Sequence, residues 1–227
     1  MGRRGPQPSG AVPTLWSAEV AYAVGLLATD GSLSSDGRHI DLTSVDYSQL
    51  VTFKRCLRLK VKIGKKYGSY NKQQGSYRVQ FGDIFFYEWM YRIGLTPNKS
   101  KTLSKLKIPD KYFFDFLRGC FDGDGSIYAY WDPRWHSSYM FYISFTSASP
   151  TFLKWLNKTI ERLASVQGKI TEARGVSQLR FAKQGTLRIF NRMFYSADIP
   201  YLKRKCISSD TYETFRTIEK SCKYITN

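Results

Sequence analysis

The sequence is poor in soft metal ligands. It holds four cysteines, Cys56, Cys120, Cys206 and Cys222, none in a CxxC pair, and two histidines, His39 and His136. Zinc modules need such residues clustered at short spacing, so this supply excludes the common ones. Four scattered thiols fit reduced cysteines in an intracellular setting, a bacterial or archaeal cytoplasm or an organelle, rather than a secreted disulfide scaffold. No run approaches the roughly 18 apolar residues that a membrane span requires, and Met1 to Pro13 contains no apolar stretch of the secretory kind. Acid is also scarce, with 18 Asp and Glu against 35 Lys and Arg, a formal charge of +17. A field of that sign attracts polyanions, nucleic acid first and an acidic membrane surface second.

What is present is enough apolar material for a sizeable core, 42% of 227 residues. Residues 1–14 are expected to form a flexible basic arm. The remainder states one pattern twice. Ala23-Val-Gly-Leu-Leu-Ala-Thr-Asp-Gly31 returns as Leu117-Arg-Gly-Cys-Phe-Asp-Gly-Asp-Gly125. Strand-like alternation follows in both halves, at His39 to Val45 and Met140 to Thr146. Helical periodicity comes next, at Tyr47 to Leu59 and Pro150 to Ala164. Two further strands are expected at Val61 to Tyr67 and Ser76 to Phe81, matched by Lys169 to Arg174 and Gln178 to Ala182. Aromatic-rich helices at Ile84 to Ile93 and Thr186 to Tyr195 close the series, and the Lys-rich loops Pro97 to Lys101 and Pro200 to Lys205 end it. The order is helix, two strands, helix, two strands, helix, twice over. The expected division is 15–103 for the first repeat, 104–110 for a linker and 111–227 for the second repeat.

Small residues at Ala21, Gly25, Ala28 and Gly119 would let the two motif helices approach closely about a pseudo-two-fold axis. Gly31 and Gly125 suit the left-handed residue that often ends a helix. Asp30 and Asp124 then sit on last turns, where the helix dipole disfavours a carboxylate. Two such acids brought together would also repel each other. A shared divalent cation reverses that penalty, and hard oxygen ligands suit Mg²⁺ or Mn²⁺. An isolated Asp-Gly is ordinary turn chemistry; two in matched contexts are not. An EF-hand reading of Asp122-Gly-Asp124-Gly-Ser126 fails, because its sixth position is Ile127 and its twelfth is Pro133.

The two motifs, each followed by the same succession of elements, resemble the LAGLIDADG homing endonucleases of the single-chain, two-repeat kind, over about Ser17 to Ser209. The resemblance implies an α+β fold of two pseudo-symmetric αββαββα repeats. The paired motif helices would lie under two four-stranded antiparallel sheets that form a DNA-binding saddle. It implies an intron-encoded, monomeric, metal-dependent endonuclease that hydrolyses one phosphodiester on each strand of double-stranded DNA. Asp30 and Asp124 would hold two or three Mg²⁺ or Mn²⁺ ions, with the carbonyls of Thr29 and Gly123 as further ligands. The basic residues beside the scissile phosphates match Lys101 and Lys205. Two departures stand out. Ala28 in the first motif faces Asp122 in the second, which suggests packing or capping for the extra acid. Ser44 and Ser147 occupy the place where many members carry a glutamine.

Strands alternate their side chains, so one face can carry apolar residues while the other meets the major groove. Arg78 and Gln80, like Gln178 and Arg180, point together, and these residue types suit guanine and adenine edges. Ser34, Asp36 and Arg38 against Tyr128, Tyr130 and Asp132 are expected as their neighbours on the first strands. Lys62, Lys65, Lys66, Lys72 and Lys169 are expected at phosphates, which position without specifying. Because the two strand faces differ, the expected target is long and asymmetric. Phe113, Phe114, Phe116, Trp155, Phe190 and Phe194 follow helical spacing and are expected in the core. Two rivals share the resemblance: an RNA-binding intron maturase, and a non-cleaving DNA-binding regulator.

Overall fold

The computed structural model describes residues 11–67, 75–134 and 139–205. Ser17 starts the first motif helix, α1 (Ala18–Thr29), by accepting a hydrogen bond from the Val20 N–H at 3.2 Å. Every residue from Val20 to Ala28 is buried, as expected of a helix apolar on all sides. Strands β1 (Gly31–Leu33) and β2 (His39–Ser44) follow, then α2 (Tyr47–Cys56), β3 (Ile63–Lys66), β4 (Ser76–Gly82) and α3 (Ile84–Ile93). The second half repeats this with α4 (Phe113–Asp124), β5 (Gly125–Trp131), β6 (Tyr139–Ser147), α5 (Pro150–Ala164), β7 (Lys169–Ala173), β8 (Val176–Ala182) and α6 (Lys183–Met193).

Each half builds one antiparallel four-stranded sheet, in the order β1-β2-β4-β3 and β5-β6-β8-β7. The expected α+β class and duplicated element order hold. The bounds of α3 and α5 agree with their sequence signals, because both have strong starts. Asp83 accepts from the Phe86 N–H at 3.0 Å, and Ser149 from the Phe152 N–H at 3.4 Å. Helix α6 begins three residues before the expected Thr186. That threonine is buried in the first turn, where its hydroxyl donates to the Phe181 carbonyl at 2.9 Å.

One apolar cluster runs through both halves. Phe113, Phe114, Phe116 and Phe190 are buried, and Trp155 and Phe194 pack partly buried against the core. Residues 104–110 are no free spacer: Leu106 is buried, and the Lys107 N–H donates to the Ile93 carbonyl at 2.8 Å. The N-terminal stretch is also partly docked, with Val12 buried and its N–H donating to Asp83 at 3.1 Å. Residues 1–10 of the expected arm lie outside the described residues.

Helices α1 and α4 cross at their glycines. A Cβ on Gly25 would stand 2.2 Å from the Phe116 carbonyl oxygen, and one on Gly119 would stand 2.1 Å from that of Tyr22. The obstacles are backbone atoms, so only hydrogen fits. Gly31 and Gly125 require a correction. Neither is left-handed among the described glycines with positive φ; Gly125 is extended, with φ −82°. They are glycines because a Cβ would meet the preceding helical turn, 2.6 Å from the Cα of Leu27 and 2.6 Å from that of Phe121. Tight passage from helix into strand, rather than dihedral freedom, demands them.

Candidate active site and recognition faces

The crossing brings the C-terminal ends of α1 and α4 together, and both end in an aspartate. Asp30 caps α1, its N–H donating to the Leu26 carbonyl. A Cβ on Gly123 would lie 2.0 Å from the Thr29 hydroxyl oxygen and 3.0 Å from Asp30 Oδ2. The bare glycine therefore lets the Asp30 carboxylate rest against α4. Partial burial, then the negative charge of Asp124, raises the Asp30 carboxyl to about 6; Lys205 and Lys99 pull it back. Asp124 is exposed. Desolvation by the surrounding protein still raises its carboxyl above the ordinary range, opposed by Lys205 and Lys99.

Those two ammonium groups define the basic positions of the site, and one differs from expectation. Lys99 is buried, with Nζ donating to the Gly31 carbonyl. Lys205 Nζ donates to the carbonyls of Phe121 (3.1 Å), Gly123 (2.5 Å) and Gly125 (2.9 Å). Gly31 and Gly125 are equivalent in the repeat, so Lys99 and Lys205 are equivalent too. Lys101 lies exposed on the turn, and of the two it is Lys99 whose ammonium stands near the acids. The turn explains the difference. Asn98 takes a left-handed φ of 54°, and the Lys99 carbonyl accepts from the N–H groups of Thr102 and Leu103, which points Lys99 inward and Lys101 outward. Nothing in the run of similar residues distinguishes the two. Burial lowers the Lys99 ammonium below its usual range and lowers that of Lys205 as well, while the nearby acids raise both.

A cavity of about 280 Å³ adjoins Asp30, lined also by Ser44, Gln49, Asp122, Gly123 and Arg204 among others. Gln49, which the sequence did not single out, is buried and donates to the Asp122 carbonyl at 3.0 Å. The Asp122 side chain does pack internally. Its Oδ2 accepts from the Tyr22 hydroxyl and the Leu202 N–H, both at 2.7 Å, while Oδ1 has no partner among the described residues. Burial raises its carboxyl to about 6 against these hydrogen bonds. Ser44 and Ser147 turn the chain from strand to helix, accepting from the N–H groups of Asp46 (3.0 Å) and Ser149 (3.1 Å). The Thr29 hydroxyl folds back onto the Leu26 carbonyl at 3.0 Å. Two carboxylates whose proton affinity is raised by burial, in one case also by mutual repulsion, fit a hard divalent cation. The Gly123 carbonyl fits less well, since Lys205 already holds it.

The outer faces of the sheets carry most of the expected contact residues. In the first sheet Thr43 lies opposite Arg78, and Asp41 opposite Gln80. Lys66 Nζ donates to the Thr43 hydroxyl at 3.3 Å. Lys65 pairs with Tyr77, on the opposite parity from Arg78 and Gln80, so it belongs to the helix side of the sheet. Lys62 and Lys169 are exposed; Lys72 lies outside the described residues. Strand β1 ends at Leu33, so Ser34, Asp36 and Arg38 form the turn instead of continuing the strand. There Asp36 accepts from the N–H groups of Arg38 and His39, both at 3.0 Å, and its contacts with His39 hold the carboxyl well below the usual range. In the second sheet Tyr128 and Tyr130 stand on the outer face, whereas Asp132 is buried and bonded to Arg134 at 2.9 Å. Gln178 and Arg180 share that face with Tyr142 and Ser144, two residues the sequence reading missed because only the register brings them there.

Two αββαββα halves, joined through crossed motif helices that end in paired acids, define the fold of the LAGLIDADG homing endonucleases in its single-chain form. Solved structures share it. The homing endonuclease I-WcaI, bound to its DNA recognition sequence, matches with a TM-score of 0.65 at 12% identity, over 91% of this chain and 95% of its own. The I-LtrWI LAGLIDADG homing endonuclease bound to target DNA matches at 0.56 and 12%, over 91% of each chain. Full-length DUF199/WhiA from Thermatoga maritima matches at 0.55 and 15%, over 92% of this chain and 68% of its own. No family sequence profile and no characterised protein sequence matches the chain, so the likeness resides in the fold.

Proposed function

We propose that this protein is a monomeric double-strand DNA endonuclease that hydrolyses one phosphodiester on each strand of a long asymmetric target. One observation carries the reading: two acids from duplicated helix ends, Asp30 and Asp124, meet with two buried or half-buried lysines, Lys99 and Lys205, between two sheets with polar outer faces. The fold is shared with I-WcaI bound to its recognition sequence and with I-DmoI in complex with DNA and Mn, which supports double-stranded DNA as substrate and Mg²⁺ or Mn²⁺ as cofactor.

Asp30 and Asp124 would hold the ions. Divalent ions bound there supply Lewis-acid polarisation of the phosphodiester and a water of lowered pKa. Lys99 and Lys205 place positive charge where negative charge grows on the phosphoryl group. Arg78, Gln80, Gln178 and Arg180 face the major groove, and the exposed lysines Lys62, Lys66 and Lys169 neutralise phosphates.

A second reading has its own support. Lys99 and Lys205 already satisfy glycine carbonyls beside the acids, an arrangement that also suits a non-cleaving DNA-binding protein of this fold. Cleavage selection from a randomised duplex library with Mg²⁺ separates the two. The expected result is a cut on both strands by the wild-type chain, with Asp30→Asn and Asp124→Asn each binding the selected duplex without double-strand cleavage. Sequence-selective binding with no cutting in Mg²⁺ or Mn²⁺ would establish the second reading, and double-strand cutting by either variant would remove the acids from the chemistry.

A further inference from the structure

The two recognition faces carry the same residue types in opposite order. Ser44 and Ser147 play the same turn-forming part in the two halves, and they align the sheets. On that alignment the rung Thr43–Arg78 corresponds to Thr146–Gln178, and the rung Asp41–Gln80 corresponds to Ser144–Arg180. Arginine thus stands on the inner rung in the first half and on the outer rung in the second.

The second-half arginine is also held in place. Arg180 Nη2 donates to Gln178 Oε1 at 2.8 Å. Its guanidinium carbon lies 5.6 Å from the ring centroids of both Tyr128 and Tyr142. Those rings are stacked on each other, with centroids 5.2 Å apart and planes 24° apart. Gln178 is fixed in turn, its Nε2 donating to Ser144 Oγ at 3.3 Å, and the fully buried Ser144 shares a 2.8 Å hydrogen bond with Ser126. With both ends of its amide engaged, Gln178 is occupied in holding Arg180. Among the described residues the first half has no such frame. His39 and Asp41 stand where Tyr142 and Ser144 stand, and His39 is turned to Asp36 at 2.5 Å.

A guanidinium offers five N–H donors in a planar fork, and one is used by Gln178. A fork fixed over aromatic faces loses little freedom when it meets the O6 and N7 acceptors of guanine. We propose that Arg180 reads a guanine in the half-site under the second sheet, and that Tyr128, Tyr142 and Gln178 are its positioning residues. The equivalent position under the first sheet, where Gln80 stands, does not require guanine. This inference rests on the DNA-binding reading above and names what one half of the target must contain.

The test is binding selection from randomised duplexes, with sequencing of the bound fraction, for the full-length wild type, Arg180→Ala, Tyr142→Ala and Tyr142→Phe. The wild type is expected to prefer guanine roughly ten- to a hundred-fold at one position of one half-site. Arg180→Ala should abolish that preference and leave the others. Tyr142→Ala should weaken it several-fold at the same position, and Tyr142→Phe, which keeps the ring face, should retain it. An Arg180→Ala profile identical to wild type overturns the inference. So does a Tyr142→Ala profile that keeps the guanine, or a Tyr142→Phe profile that loses it. A wild-type chain that enriches no sequence overturns the DNA-binding reading itself, whereas the other adverse outcomes leave that reading standing.

Discussion

Replacing Gly25 with alanine probes the element on which the site depends, the contact of α1 with α4. The new Cβ would stand 2.2 Å from the Phe116 carbonyl oxygen and 2.8 Å from both the Cys120 nitrogen and the Gly119 Cα. An ordinary carbon-to-oxygen contact needs about 3.3 Å, so the helices must part by on the order of 1 Å. No side chain can yield, because all three obstacles are backbone. Overpacking of this kind costs about 1–3 kcal/mol, at times more, and the better helix propensity of alanine returns about 1 kcal/mol. Rigid obstacles place this case at or above the top of that range, so a net loss of about 2–3 kcal/mol is expected. That corresponds to a Tm lower by roughly 5–10 °C for a chain of this size. Gly119→Ala should behave alike, and the double variant should lose less than the sum, since helices already parted admit the second methyl. Parting also carries Asp30 away from Gly123. Single-turnover cleavage at a temperature where the variant is folded should therefore fall by about two orders of magnitude, more than DNA binding does. Urea titration of the four proteins measures the stability term. A Gly25→Ala chain as stable as wild type would refute the argument, because the close approach would then be illusory.

Two further outcomes follow from the site. Lys99→Met should lower single-turnover cleavage by about a hundred-fold or more with binding to the selected duplex kept, while Lys101→Met should stay within a few-fold of wild type; equal losses would return Lys101 to the centre. Asp122 makes stability pH-dependent, and its sign is set by a folded-state carboxyl at about 6 against an ordinary 3.8. The folded state holds the proton more tightly, so the stabilisation is complete below about pH 4 and is lost as pH rises through about 6. Above that the buried charge costs on the order of 3 kcal/mol. Asp122→Asn cannot ionise, so its stability measured by urea in metal-free buffer should gain on that of wild type between pH 4 and pH 7, and parallel curves would show that Asp122 does not titrate in this window.

The parts of this molecule legible in its sequence are those written in local physics. Helix α5 announces itself through Ser149-Pro150, and α3 through its aromatic-rich run from Ile84 to Ile93. The repeated Asp-Gly places both acids at helix ends. Other features depend on which way a residue faces once the chain is folded. Lys99 and Lys101 are chemically alike, and only the left-handed turn at Asn98 chooses between them. Lys65 reads as a phosphate contact until the register with Tyr77 sends it to the helix side. Tyr142 and Ser144 sit in an apolar-looking strand, and only pairing with β5 and β8 reveals their role as supports.

Duplication explains why the centre kept its symmetry while its surroundings did not. At the crossing Gly25 packs on Gly119, and Asp30 feels the charge of Asp124, so each pair is constrained together. The loops that deliver the lysines touch different neighbours and have diverged. In the second half Arg118, where the first half has Val24, is fully buried and donates to the Pro200 carbonyl at 2.8 Å and the Met193 carbonyl at 2.6 Å. Asp122, where the first half has Ala28, takes the Leu202 N–H. Two buried charged side chains thus tie down the loop that presents Lys205. The first-half loop instead uses the buried Lys99 itself, with Leu103 and Leu106 packed in the core. Buried charge is a costly anchor, and the second half alone adds Arg118 and Asp122 to its lysine, so the two lysines are held by unequal means. Loosening Arg118 or Asp122 should therefore impair the half of the centre served by Lys205 before the half served by Lys99.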